Sequence, residues 1–248
     1  MDPNPREMGV NRGGHENDAG AIVRLDSVSR IYQQGKVEVK AVNDLSLVIK
    51  KGEFTVISGP SGSGKTTTLN MIGALDTPNS GTVELEGKDL GTLSRTQLSR
   101  IRRDRIGFVF QAYNLAPVLT AYENAEFVLA LQGVHAAARR ERTMKVLGEV
   151  GLEGLEDRRP DEMSGGQQQR VAIARAICPR PAIVLADEPT ANVDSHTAEA
   201  ILTLMEQLNK TDGITFLFST HDPQVMERAR RIITMRDGKV FDDSTKSS

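Results

Sequence analysis

The sequence has one cysteine, Cys178, no tryptophan and few aromatics, with three tyrosines and seven phenylalanines in 248 residues. A single cysteine excludes an intramolecular disulfide framework and a cysteine-built zinc cage, and it points to a reducing compartment. No apolar run approaches the roughly 18–20 residues that span a bilayer. No charged start followed by an apolar segment stands near Met1, so no secretory leader is expected. Neither sign of charge dominates: 31 Lys and Arg face 33 Asp and Glu, for a net charge of −2. That balance gives no strong pull toward nucleic acid or anionic lipid, and no nucleic-acid partner is expected. The reading is a cytosolic protein whose membrane role would come through a partner. What is present, 38% hydrophobic and 26% charged residues, suits a globular chain with a full core.

Residues 1–20 carry Pro3, Pro5 and several glycines with almost no apolar residue and read as a disordered arm. The polar stretch 242–248 reads as a flexible tail. Between them, 21–241 reads as one domain. Strands are expected at 23–28, 45–49, 54–58, 82–85, 106–110, 182–186, 215–219, 232–235 and 239–241. Helical spacing marks 65–75, 121–133, 136–150, 167–176 and 195–209. The wholly apolar run 182–186 is that of a central parallel strand buried on both faces. Asp237-Gly238 is a hairpin signal between the last two strands. Strands alternating with helices predict an α/β fold with a parallel core. The β-rich opening predicts an added antiparallel layer, and the helix-rich middle, about 111–165, an inserted helical subdomain.

Three motifs carry chemistry. Gly59-Pro60-Ser61-Gly62-Ser63-Gly64-Lys65-Thr66 fits the phosphate-binding loop G-x-x-x-x-G-K-[ST], between a strand and a helix as that motif demands. Its glycines let backbone N–H groups turn toward phosphate oxygens at a positive helix end. Lys65 would reach the β- and γ-phosphates and Thr66 would bind Mg²⁺, with Thr67 beside it. In the second, an apolar strand delivers Asp187 and Glu188 at its C-terminal edge, where ligands sit in open α/β sheets. Asp187 suits Mg²⁺, and Glu188 is placed to polarise an attacking water. In the third, Ser164-Gly165-Gly166-Gln167 opens a helix. Alone it reads as a helix cap with a flexible glycine pair ahead of the other reading, a second anion site at a positive helix end.

These motifs, in this order, resemble the nucleotide-binding subunit of ATP-binding cassette (ABC) transporters, over about 22–237. The resemblance implies the ABC ATPase fold and further site residues. Gln111 matches the glutamine that senses Mg²⁺ and the membrane partner. Ala191-Asn192-Val193-Asp194 resembles the loop whose acid is Asp194. His221 matches the histidine at the γ-phosphate. Tyr32 stands where the family stacks an aromatic on adenine. Met163 replaces a usual leucine, a near-isosteric change. The resemblance implies an ATPase using ATP and Mg²⁺, dimerising with a second copy so that Ser164–Gln167 of one chain covers ATP on the phosphate loop of the other.

The stretches 73–78, 110–117 and 119–124 resemble the macrolide-exporter and lipoprotein-releasing class. That implies a separate transmembrane permease with a large extracytoplasmic domain, a peripheral position on the cytoplasmic face of the membrane, and export or extraction of lipophilic cargo or lipoprotein. A cell-division type that signals to cell-wall enzymes without moving cargo shares every motif and stays open as an alternative. Tyr113, Leu115, Pro117 and Val118 are candidates for the permease-docking surface or for subdomain core. Cys178 is expected to be inert, and His15, His135 and His196 to be ordinary.

Overall fold

A computed structural model describes residues 20–35 and 37–246. Residues 1–19, which hold most of the expected arm and His15, lie outside the described residues, as do 247–248. The core is a six-stranded sheet built on β3 (Phe54–Ser58), β6 (Ile106–Phe110), β7 (Ile183–Asp187), β8 (Thr215–Ser219), β9 (Arg231–Arg236) and β10 (Lys239–Thr245). Its order is β10-β9-β3-β8-β7-β6, with every pair parallel except the β9–β10 hairpin. An antiparallel layer packs beside it: β1 (Ala21–Gln34), β2 (Val37–Lys50), β4 (Ser80–Leu85) and β5 (Lys88–Asp89), in the order β2-β1-β4-β5. The expected α/β class, parallel core and antiparallel layer are all found.

Alternation along the central strands explains why they are apolar throughout. Ile183 and Leu185 of β7 enter one core with Leu217 of β8 and Ile57 of β3. Val184 and Ala186 enter the other with Phe216, Phe218 and Phe54. The first core is closed by α1 (Lys65–Ile72) and the antiparallel layer. The second is closed by α3 (Ala121–Leu131), α4 (Ala136–Glu149), α5 (Gly165–Ile177) and α6 (Ser195–Asp212). A strand with both faces covered has no polar side to alternate with.

Several boundaries differ from those expected. β1 and β2 run on as a 14-residue pair, past the expected 28 and starting before the expected 45, each supplying the other's hydrogen bonds along a ribbon in which Val37, Val39 and Ala41 alternate with Glu38 and Lys40. α1 stops at Ile72, where Gly73 and the left-handed Ala74 turn the chain. β10 continues through 242–245 of the expected tail, held by its ladder to β9 and by Arg231, whose guanidinium binds both oxygens of Asp243 at 2.7–2.8 Å. Two helices were not expected: α2 (Arg95–Arg105) and α7 (Pro223–Arg228).

Cys178 ends α5 with no solvent exposure, and burial pushes its thiol up to about 12. Because the thiolate is the reactive form, a soluble disulfide reagent at pH 8 should leave the native protein unlabelled and titrate one thiol after unfolding. Rapid native labelling would contradict this packing. The cap of α6 gives a pH prediction. The Thr197 hydroxyl and N–H donate to Asp194 at 2.6 and 3.0 Å and hold its carboxyl below the usual range. That stabilisation is complete above the ordinary carboxylate value of about 3.9 and is lost as pH falls through the lowered folded value. Asp194→Ala should therefore lower the unfolding midpoint at pH 7, with the gap to the parent closing in strong acid; a gap that persists there would contradict it.

Candidate nucleotide site

β3 ends in the loop Gly59–Gly64, and only glycine fits two of its positions. At Gly59, φ is +143° and an added Cβ would lie 2.2 Å from the Met235 carbonyl oxygen; at Gly64, φ is +101° and it would lie 2.3 Å from that of Ala41. The helix that follows, α1, has no side-chain cap and no acid in its first turn. α4 shares both features, whereas α2, α3, α5, α6 and α7 are capped by Ser94, Thr120, Ser164, Asp194 and Asp222. The first N–H groups of α1 thus lack intrahelical partners at a positive helix end, the requirement for an anion. Lys65 Nζ donates to the carbonyls of Gly59 and Pro60 at 2.7 and 3.0 Å, so its ammonium lies against the loop.

The loop opens into a cleft of about 550 Å³, lined by Gly59, Pro60, Ser61, Gly62, Ser63, Gly64, Lys65, Thr66 and Thr67, with Tyr32, Glu188 and His221 completing it. Tyr32 is fixed by Asp76, which accepts from its hydroxyl at 2.5 Å and from Arg30 Nε at 2.9 Å; the Arg30 guanidinium sits 4.7 Å from the ring centroid. Val39, the cross-strand partner of Tyr32, and Ala41 line the same cleft. Nothing in their sequence context marked them.

Asp187 and Glu188 arrive together from β7. The Thr66 hydroxyl donates to Asp187 Oδ1 at 3.4 Å. A hydroxyl facing a carboxylate is a hard-oxygen pair that suits Mg²⁺. Glu188 leaves the strand in the left-handed region, φ +46°, an uncommon conformation for a residue with a side chain. Its backbone N–H donates to the Ser219 carbonyl of β8 at 2.9 Å. Its side chain is gripped at both oxygens: the Thr220 hydroxyl donates to Oε2 at 2.7 Å, and His221 Nδ1 lies 2.8 Å from Oε1. The glutamate is only 20% exposed, whereas the histidine is 78% exposed. Thr220 was not among the expected site residues; a lone hydroxyl carries no spacing signal.

The other expected residues gather elsewhere. Gln111 directly follows β6, whose Phe110 is the register partner of Asp187. Its side chain meets the Asn192 loop: Gln111 Nε2 donates to Asn192 Oδ1 at 3.4 Å, and Asn192 Nδ2 donates to the Gln111 carbonyl at 2.9 Å. The Tyr113 hydroxyl donates to the Asn192 carbonyl at 3.0 Å. Ser164 caps α5 through a reciprocal box with Gln167; its oxygen accepts from the Gln167 N–H at 3.3 Å. Gly165 and Gly166 permit close approach, since an added Cβ would lie 2.8 Å from the Tyr113 hydroxyl and 2.3 Å from Thr197 Cγ2, respectively. None of Ser164, Gly165, Gly166, Gln167 and Asp194 is among the residues that line the nucleotide cleft.

One half-buried arginine links the two clusters. Arg175, on α5, donates to the carbonyls of Tyr113 and Asn114 at 2.8 and 2.5 Å. Both residues are in the left-handed region, at φ +59° and +51°. Burial lowers the pKa of Arg175. Of the candidate docking residues, Tyr113 and Leu115 are half-buried, while Pro117 and Val118 are exposed.

Residues 42–191 match the family model described as ABC transporter. An uncharacterised ABC transporter ATP-binding protein, MJ0796, of Methanocaldococcus jannaschii is 45% identical over 223 residues, which are 88% of this chain and 95% of that protein. The macrolide export ATP-binding/permease protein MacB of Brucella melitensis is 43% identical over 229 residues, covering 92% of this chain. That match takes in only 35% of MacB, so the chain spans about a third of that relative. Among solved structures, the dimeric post-hydrolysis state of the MJ0796 cassette bound to ADP and Pi superposes with a TM-score of 0.84 at 43% identity, over 91% of this chain and 99% of that one. The uncapped phosphate-loop helix, the acidic pair on β7 and these similarities agree: the chain belongs to the ABC transporter family, as an ATP-hydrolysing subunit that uses ATP and Mg²⁺.

Proposed function

We propose that this chain is the ATPase of an exporter or extractor of lipophilic cargo or lipoprotein, working as a dimer with a separate permease at the cytoplasmic face of the membrane. The observation that carries the dimer is the separation of the two anion-binding helix ends. Gly59–Thr67 lines a cleft that Ser164–Gln167 does not enter. The Ser164 oxygen accepts the Gln167 N–H, which leaves its hydroxyl proton free to donate to a phosphate oxygen of ATP held by a second copy. The similar MJ0796 cassette is dimeric in its ADP- and Pi-bound state, which supports the same arrangement. MacB is an export ATP-binding/permease protein, which supports the transport reading and a permease partner. A large extracytoplasmic permease domain belongs to the same proposal.

In this reading, the phosphate loop, Lys65 and Thr67 hold the phosphates, and Tyr32 stacks on adenine. Thr66 and Asp187, with Gln111 close by, hold Mg²⁺, which neutralises phosphate charge when bound. Glu188 accepts a proton from the attacking water. Each of its oxygens already accepts one hydrogen bond, and each keeps a second lone pair. An ionised Glu188 only accepts, so His221 Nδ1 carries the proton it shares with Oε1. For Nε2 also to donate to a γ-phosphate oxygen, the ring must be imidazolium. Asp194 orders the loop at the partner's site. The helices of the expected subdomain, 111–165, carry the docking face. Beside Gln111, an apolar groove of about 380 Å³ lined by Phe108, Phe110 and Leu131 suits a permease helix. Arg175 would pass its movement to α5 and Ser164.

Glu188→Gln should bind ATP, lose at least about 10²-fold in turnover, the lower range for a general base, and elute as a dimer with ATP. Near-normal turnover would remove Glu188 from its role. Lys65→Ala should weaken ATP binding itself, measured by calorimetry; unchanged affinity would contradict the phosphate-loop assignment.

A further inference from the structure

The parallel sheet has a second edge that the nucleotide chemistry does not use. At the N-terminal ends of β6, β7 and β8, opposite the cleft, lies a cavity of about 760 Å³. One part of its wall is apolar, with Ile22, Val146, Ile177, Leu208 and Ile214. The rest is charged: Lys51, Arg105, Arg142, Lys145 and Arg180 face Glu86, Glu149 and Asp212.

The charges do not cancel pair by pair. Arg105 is held by Glu86, with Nε 2.7 Å from Oε2, and Lys145 lies 3.6 Å from Glu149. Arg142 and Arg180 have no carboxylate within ion-pair distance among the described residues. Nη2 of Arg142 is covered from solvent and has no hydrogen-bond partner. Burial, and then the like charge of Arg180, lowers the pKa of the Arg142 guanidinium. Arg180 stands between Pro179 and Pro181 at φ +54°, an uncommon conformation for a side-chain-bearing residue. Two cations thus share the cavity, one with a covered donor unused, and among the described residues neither forms an ion pair with Glu149 or Asp212 of the same wall. A covered donor left unused costs free energy, and a perturbed group in a cavity is a candidate for a binding role.

The chemistry selects the ligand. Guanidinium forks match the oxygens of phosphate and carboxylate. Two forks meet the double charge and three terminal oxygens of a phosphate monoester better than the single charge of a carboxylate. The apolar wall calls for an organic body, and the volume lies within the range of roughly 300–1,000 Å³ of small-molecule sites. We propose that this cavity binds a soluble organic phosphate monoester, with its phosphate on Arg142 and Arg180 and its apolar body against Ile177, Leu208 and Ile214. The site lies at the opposite end of β7 from Asp187 and Glu188, so it is separate from the ATP cleft.

The test is calorimetric titration of the full chain with 1-naphthyl phosphate, with the nucleotide cleft kept saturated by Mg²⁺ and ADP. The parent should show one saturable site. Arg142→Gln with Arg180→Gln should weaken it at least tenfold, without lowering the unfolding midpoint of the probe-free protein, because a repulsion between like charges has been removed. Arg180→Glu alters an exposed position and leaves the core intact; it should abolish binding by repulsion. Absence of saturable binding at millimolar probe, or equal affinity in the variants, would overturn the proposal. So would binding to vesicles containing phosphatidic acid with none to the soluble probe, since that would make the ligand a lipid headgroup.

Discussion

The parallel register of β3, β8, β7 and β6 fixes everything else. Their hydrogen bonds hold the strand ends level, with Ile57 opposite Ser219, Ser219 opposite Asp187, and Asp187 opposite Phe110. Four chain segments therefore leave one sheet edge side by side: the phosphate loop, the acidic pair, the Thr220–His221 turn and the Gln111 loop. These four segments are far apart in sequence. Burial of both faces, down to Phe54, Phe216 and Phe218 at under 2% exposure, makes a slip of register costly, because it would move every inward side chain to the wrong core.

Positional accuracy at that edge comes with local strain. Glu188, Tyr113 and Asn114 all adopt positive φ, and each is held by partners from elsewhere. Ser219, Thr220 and His221 hold Glu188; Arg175 holds the other two. Conformations of this kind persist only where the surroundings over-determine them, and they gather at functional sites. The consequence is a rigid acid and a Gln111 loop that is tied to α5.

Much of this was legible in the sequence, for definable reasons. The phosphate loop announces itself by glycines at fixed spacing, and β7 by an apolar run too long to alternate. The helix cap Ser164 sits where a polar residue precedes helical spacing. What escaped has equally plain causes. α2 buries none of its residues fully; its apolar face is only Leu98 and Ile101, half-buried against the core, too short a stripe to announce a helix beside the capping box of Ser94 and Gln97. The outer half of β1 is mostly polar, and that of β2 alternates Val37, Val39 and Ala41 with Glu38 and Lys40 as an exposed ribbon paired to β1. Thr220, Val39 and Arg175 act through tertiary neighbours that no local pattern announces. The unpaired Arg142 and Arg180 emerge only when the cavity between them is seen.

The proposed function divides the ATP site between two chains, because Ser164–Gln167 does not line the cleft beside the phosphate loop of its own chain. Mixing two variants tests this directly. Lys65→Ala damages only the phosphate-loop half, and Gly166→Val damages only the α5 half, where an added Cβ would strike Thr197. Each alone should hydrolyse ATP poorly. In a mixed dimer, one of the two sites unites the intact phosphate loop of one chain with the intact Ser164 segment of the other. Recovery of ATP hydrolysis on mixing, absent from either variant at the same total concentration, is the expected result. No recovery, with mixed dimers demonstrably formed, would mean that each chain completes its site alone.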